Sequence, residues 1–179
     1  QEDDALEVIE ARAAAVAAPL RAQGQHWHVA EERGRLTFQD ETGLMDLPLP
    51  SLPGPHQVEN AGTALAALRA LGLGEAACAA ALTRARWPAR MQRLRAGPLP
   101  ALLPAGELWL DGGHNPHAAQ AMADTLAARA PARPVHLILG MQGPRDAAAT
   151  LAPFAGRAAG LVAVPVPGEA VSRPTAELA

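Results

Sequence analysis

Leu108-Trp-Leu-Asp-Gly-Gly-His-Asn-Pro-His-Ala-Ala-Gln-Ala-Met122 is the stretch whose reading decides the fold. An apolar run stops at Asp111, Gly112-Gly113 turn the chain, and a helix opens around Asn115-Pro116. Proline suits the first helical turn, where its missing N–H has no intrahelical partner to lose. A strand passing through a tight turn into a helix is the unit of open α/β sheets, which hold ligands at the carboxyl ends of their strands. Asp111 and His114 therefore fall at such an edge, beside first-turn amides that favour an anion. The plainer alternative is a turn and a cap: Asp-Gly-Gly is an ordinary turn, and Asn115 or Asp111 could simply accept from helix amides.

Working outward, residues 115–130 are predicted as the helix, followed by a strand at 135–140, a helix at 146–155, a strand at 161–164 and a helical start at Pro174. Upstream, short strands are expected at 91–95 and 107–110. Strand–helix alternation of this kind predicts an α/β fold with a mostly parallel sheet and helices on its faces. Before residue 86 the pattern differs. Leu6, Ile9, Ala13, Val16 and Leu20 recur at helical spacing, which predicts a helix over 4–20. Three short strands at 26–30, 35–39 and 43–49 form a small antiparallel meander, and helices follow at 57–71 and 75–84. Arg86-Trp87-Pro88, where the helix pair stops and a strand pattern begins, is the expected domain boundary.

Composition bounds the function. Hydrophobic residues make up 49% of the 179, but aromatics only 3%, so the core is expected to be built of small side chains. The formal charge is −3 and all 15 basic residues are scattered arginines. They form no basic stripe for nucleic acid, and no apolar run is long enough to span a membrane. The single cysteine, Cys78, sits in an alanine-rich helical pattern and reads as a small buried hydrophobe, with a reducing cytoplasm as the default compartment.

Several residues invite a sharper reading and a blander one. Arg86-Trp-Pro-Ala-Arg-Met-Gln-Arg93 could bring guanidinium groups to the Asp111 edge; Arg90 is the best candidate, able to grip a phosphate with two parallel hydrogen bonds, or else a solvated surface arginine. His114 could contact a phosphate or merely organise its turn. His26 and His28 would share one face of a strand, but no set of cysteines or carboxylates completes a zinc site, and no metal ligand is expected among these residues. His117 lies one turn into a helix and can face solvent. Gly112-Gly113 lacks the third glycine and the ribose-binding acid of a dinucleotide fingerprint.

The blocks taken together resemble one family. Gly54-Pro-His-Gln-Val-Glu-Asn-Ala-Gly-Thr-Ala64, Trp87-Pro-Ala-Arg-Met-Gln92 and Leu110-Asp-Gly-Gly-His-Asn-Pro-His-Ala-Ala119 are similar, in order and spacing, to blocks of folylpolyglutamate synthase/dihydrofolate synthase, the folate branch of the Mur-type amide ligases. Gly140-Met141 with Asp146, and Val164-Pro-Val-Pro-Gly168, resemble its later blocks. The resemblance implies a Rossmann-like C-terminal domain over 86–179, preceded over 1–85 by the tail end of a central ATP-binding domain. It maps a phosphate-contacting arginine onto Arg90, an ATP-holding aspartate onto Asp111, a phosphate-contacting histidine onto His114 and an adenine-side amide onto Asn60. ATP and Mg²⁺ are the implied cofactors, and a folate and L-glutamate the implied substrates of a monomeric parent.

The sequence departs from that pattern in two ways. There is no lysine and hence no phosphate loop ending in Gly-Lys-Ser or Gly-Lys-Thr, and the family's carbamylated lysine and magnesium ligands normally precede the region seen here. The chain is therefore expected to be a C-terminal portion, inactive by itself. The lysine usual before the Asp146 position is also missing, with Arg145 in its place. Two other readings stay open: a non-catalytic module binding a nucleotide or partner chain on the same fold, and a Mur-type ligase with a different acceptor.

Overall fold

The computed structural model describes residues 3–168 and 171–178. The chain divides into two compact units, Gln1–Leu52 with His56–Arg86, and Pro53–Pro55 with Trp87–Ala179.

In the first unit, helix α1 (Asp3–Ala15) is followed by strands β1 (Trp27–Glu32), β2 (Arg35–Asp40) and β3 (Gly43–Leu47), then helices α2 (His56–Ala70) and α3 (Glu75–Arg84). The strands form the expected antiparallel meander in the order β1-β2-β3. Arg33 and Gly34, with φ of 52° and 75°, make the tight β1–β2 turn; positive φ at both central residues matches the right-handed twist of the paired strands. Leu36, Phe38, Met45 and Leu47 face α2 and α3, where Ala61, Leu65, Cys78 and Leu82 complete the core. Trp27 stacks on Phe38 with ring centroids 5.8 Å apart. Helix α2 lies so close to β1 that a Cβ on Gly62 would come within 2.6 Å of Trp27 and Val29. Cys78 is fully buried, and its thiol pKa is raised, chiefly by that burial.

Two expectations fail here. The first helix stops at Ala15 rather than reaching Leu20. Ala17 takes φ of 52°, and Ala18 N–H returns to Ala13 C=O while Ala17 N–H returns to Ala14 C=O. This pair of hydrogen bonds closes the helix with alanine in the place glycine usually takes, just before Pro19, which cannot continue it. Val8 and Val16 are left more than half exposed. Second, β1 begins at Trp27, so His26 does not share a strand face with His28; its Nδ1 accepts from the Ala22 amide at 3.1 Å.

The second unit runs β4 (Gln92–Leu94), α4 (Pro98–Ala101), β5 (Leu108–Leu110), α5 (Pro116–Arg129), β6 (Val135–Leu139), α6 (Ala147–Leu151) and β7 (Ala158–Ala163), with single 3-10 turns at Ala152–Phe154 and Thr175–Glu177. Strands β6 and β7 pair in parallel, Leu137 opposite Leu161, joined through α6 as the alternation predicts. Strands β4 and β5 instead pair antiparallel, Arg93 opposite Trp109. The segment between them holds only the four-residue α4, too short to carry the chain back across a sheet, so it doubles back. The core is made of small groups: Ala119 and Ala123 of α5 against Phe154, with Met122, Leu126, Leu137 and Ala158 around them. Buried Thr125 and Thr150 satisfy their hydroxyls on the carbonyls of Ala121 and Asp146, both at 2.7 Å.

Candidate active site

The strand–turn–helix of the opening stretch forms as its residues dictate. Asn115, in extended conformation, caps α5 by accepting from Ala118 N at 2.8 Å, and Pro116 takes the first helical position. The cap is thus Asn115, which leaves Asp111 free for another task. Its Oδ1 accepts from Gly113 N and its Oδ2 from Met91 N, both at 2.7 Å. Gly112 N donates to Ala89 C=O at 2.8 Å, and Ala89 N to Gln92 Oε1 at 3.0 Å. Two hydrogen bonds, Met91 N to Asp111 and Gly112 N to Ala89 C=O, therefore stitch the turn 89–92 to the loop 111–113, and one more braces each segment internally.

The stitched turn is strained. Ala89 and Met91 have φ of 55° and 41°, in the left-handed region that side chains disfavour by roughly 1–2 kcal/mol per residue. Such strain persists only where surrounding structure over-determines it. Here the bonds to Asp111, Gly112 and Gln92 do so, and burial of the Met91 side chain adds to them. Arg90 sits between the two strained residues, exposed and without an ion-pair partner among the described residues. Its exposed side chain can meet an anion from solvent.

His114 follows in the same loop, exposed, with Nδ1 3.0 Å from Gly112 C=O. A carbonyl only accepts, so this contact needs the proton on Nδ1, leaving Nε2 of the neutral ring as an outward acceptor, or as a second donor when the ring is charged. His117 is exposed in the first turn of α5. Arg90, Asp111 and His114 thus converge on one pair of facing loops within the second unit. Asn60 belongs to the first unit, on α2, where its Nδ2 donates to Gln57 Oε1 at 3.2 Å. Trp87, at the head of the turn, is 66% exposed.

A second loop leaves the carboxyl end of β6. A Cβ on Gly140 would stand 3.1 Å from Val166 Cγ2 and 3.3 Å from Val164 C=O, so glycine lets this loop run against the segment after β7. Asp146 caps α6 by accepting from Ala149 N at 2.9 Å, and Arg145 before it is exposed. Sequence reasoning missed Gln92 and Arg173. Gln92 lies inside a block already noted, but no local signal announces that its amide holds a left-handed turn. Arg173 reaches this loop from about thirty residues downstream, which no short-range pattern could reveal.

The geometry is matched by clear relationships. Residues 89–178 match the family model described as Mur ligase, glutamate ligase domain. The chain is 35% identical over 136 residues to the dihydrofolate synthase/folylpolyglutamate synthase of Escherichia coli K12, covering 74% of this chain and 29% of that protein. It superposes with TM-score 0.81 and 30% identity on the structure of E. coli FolC in complex with DHPP and ADP, over 96% of this chain and 39% of the other. A bifunctional folylpolyglutamate synthase/dihydrofolate synthase with Mn, AMPPNP and L-glutamate bound gives TM-score 0.79 at 28% identity, over 96% of this chain and 39% of that one. The chain therefore spans less than a third of the curated relative and about two fifths of each solved structure. The chain belongs to the Mur ligase family, and residues 89–178 form its glutamate ligase domain.

Proposed function

We propose that this chain is part of an ATP-dependent ligase that joins L-glutamate to a carboxylate of a folate. The observation that carries this reading is the corner of Arg90, Asp111 and His114, lying within the matched glutamate ligase domain. Residues 1–85 are assigned to the C-terminal part of a central ATP-binding domain and 86–179 to the domain that completes the glutamate site.

A carboxylate resists attack by an amine because its oxygen is a poor leaving group. Transfer of the terminal phosphoryl group of ATP to a carboxylate oxygen, with ADP leaving, gives an acyl phosphate. The amine of L-glutamate then attacks the acyl carbon, phosphate departs, and loss of the ammonium proton leaves the amide. Arg90 suits the charge spread over the phosphoryl oxygens, because a guanidinium offers paired donors and stays charged as water is excluded. His114 can give a hydrogen bond from Nε2 to a phosphate oxygen when its ring is charged. Asp111 acts first through the backbone, holding the Arg90 turn, and its remaining lone pairs can meet a nucleotide. Asn60 is assigned to the adenine side.

The known chemistry of phosphoryl transfer also calls for a divalent cation. Among the described residues no group of three or more His, Cys, Asp or Glu is placed to hold one. With neither a lysine nor a glycine-rich phosphate loop in the sequence, the chain alone is expected not to turn over ATP.

The test is a chimera in which this chain replaces the aligned segment of the E. coli relative. It should incorporate radiolabelled glutamate only when folate, ATP and Mg²⁺ are all present, and the isolated chain should release no phosphate. A chimera that folds and binds ATP yet incorporates no glutamate would count against the ligase reading.

A further inference from the structure

We propose that Arg173 is a positioning residue that holds the loop 140–146 in a single preformed arrangement and so directs Arg145 toward an anionic amino acid. The functional half of this inference rests on the ligase reading above; the structural half does not.

The loop leaves the carboxyl end of a parallel strand, the place where open α/β sheets hold ligands. It contains no regular element before Asp146, and its backbone carbonyls need partners. Arg173 supplies them. One terminal nitrogen of its guanidinium donates to both Gly143 C=O and Arg145 C=O, the latter at 2.7 Å. The other donates to Glu177 at 2.8 Å, which fixes the fork from the far side. The Arg173 amide bonds Met141 C=O at 2.8 Å, Gly143 N bonds Val171 C=O at 2.7 Å, and Gln142 bridges Ser172 antiparallel. The loop 141–145 is thus clasped from outside by residues 171–173, with one side chain reaching its tip.

This clasp is not arranged for stability alone. The Arg173 side chain is only 22% exposed, and its Nε–H is buried with no hydrogen-bond partner among the described residues. An unmet buried donor is unfavourable and calls for an explanation. An apolar side chain would fill the same space without it, but could not hold the carbonyls of Gly143 and Arg145. What the clasp achieves is direction: with Gly143 and Arg145 carbonyls turned inward onto Arg173, the Arg145 side chain is sent outward, exposed and without an ion-pair partner among the described residues. Asp146 directly after it starts α6, so the loop is fixed at both ends. A preformed cationic loop binds an anion without first losing conformational freedom. The charge and position fit a carboxylate of L-glutamate.

The experiment uses the whole chain, ¹⁵N-labelled, as wild type and as Arg173→Met, Arg173→Lys and Glu177→Gln. Without ligand, the amides of Gly143 and Arg145 should exchange about tenfold faster in Arg173→Met, while those of Leu36 and Phe38 stay unchanged. Arg173→Lys, whose ammonium can still bridge two carbonyls, should recover part of the protection. Unchanged loop exchange in Arg173→Met overturns the clasp. Should that variant fail to fold, Arg173→Lys and Glu177→Gln carry the same test, with faster exchange expected at the same amides and no change overturning the clasp. Titration with L-glutamate should shift the Arg145 and Gly143 resonances of the wild type, and Arg173→Met should need about tenfold more glutamate for the same shift. An equal requirement in both proteins overturns the positioning role. Wild-type resonances that ignore glutamate overturn the glutamate assignment, while the exchange result still judges the clasp by itself.

Discussion

Replacing Asp111 by asparagine tests how the Arg90 turn is held. Both carboxylate oxygens accept from backbone amides, Met91 N and Gly113 N, each at 2.7 Å. Hydrogen bonds to a charged acceptor contribute roughly 1.5–3 kcal/mol each, less where solvent reaches them, and Asp111 is half-buried. Asparagine keeps one acceptor and turns its NH₂ toward the other amide, so one bond is lost and two donors face each other. The bonds it weakens oppose the strain of Ala89 and Met91, roughly 1–2 kcal/mol for each left-handed residue. A net loss of about 2–3 kcal/mol is expected to fall on the turn rather than on the whole fold, lowering the population of the stitched state about 30- to 150-fold relative to its open form. Native-state hydrogen exchange reads this directly: the Met91 and Gly113 amides should accelerate by that factor, with Phe38 unchanged. Adding Ala89→Gly, which removes the Cβ strain at φ of 55°, should return about 1 kcal/mol of it. Met91 exchange within twofold of wild type in Asp111→Asn would refute the reasoning, because the turn would then hold its shape without the carboxylate.

Other outcomes follow from the same structure. Gly62→Ala should destabilise the first unit by about 1–3 kcal/mol in urea unfolding, since its Cβ would stand 2.6 Å from Trp27 and Val29; an unchanged midpoint would mean α2 can lift off β1 freely. Cys78, fully buried with its thiol pKa raised chiefly by burial, should stay unreactive to a disulfide reagent at pH 8 until urea unfolds the first unit. Asp40 keeps a lowered pKa: burial opposes it, but the Thr42 hydroxyl and amide and the Arg69 guanidinium outweigh that opposition. A depressed folded-state pKa contributes stability that is present above the unfolded value near 3.8 and is lost as pH falls through the folded one. Arg69→Gln should therefore weaken the chain near neutral pH and converge with wild type at the acid end; an equal deficit at all pH values would argue against an ionic role.

The parts of this molecule legible in the sequence are those with local chemical cause. Pro116 and Asn115 mark a helix start because proline fits its first position and a short amide caps it, and the structure has both. The meander and the parallel β6–β7 pair follow from alternation and spacing. What escaped reading lies where backbone conformation is set from a distance. Alanine at φ of 52° ends α1 early, and no propensity announces it. The antiparallel sense of β4 and β5 depends on how the connecting segment folds rather than on the strands' own pattern. The Arg90 turn uses left-handed alanine and methionine where a reader looks for glycine or asparagine. Its cause, Asp111, lies twenty residues away, and no local pattern pairs that carboxylate with the Met91 amide.

The three tryptophans sit in three different surroundings. Trp27 is buried and stacked on Phe38. Trp87 is mostly in water. Trp109 lies under the Arg129 guanidinium, 5.1 Å from its ring centre, with its indole N–H on Glu107. Indole emission moves toward the blue in apolar surroundings and is quenched by nearby charge. The protein therefore carries its own optical labels: a blue-shifted one for the first unit, a red-shifted one beside Arg90, and a charge-sensitive one on β5. Replacing two tryptophans at a time by phenylalanine would let each be watched alone, so that melting of either unit, or arrival of a ligand at the Arg90 turn, could be followed by colour without an added dye.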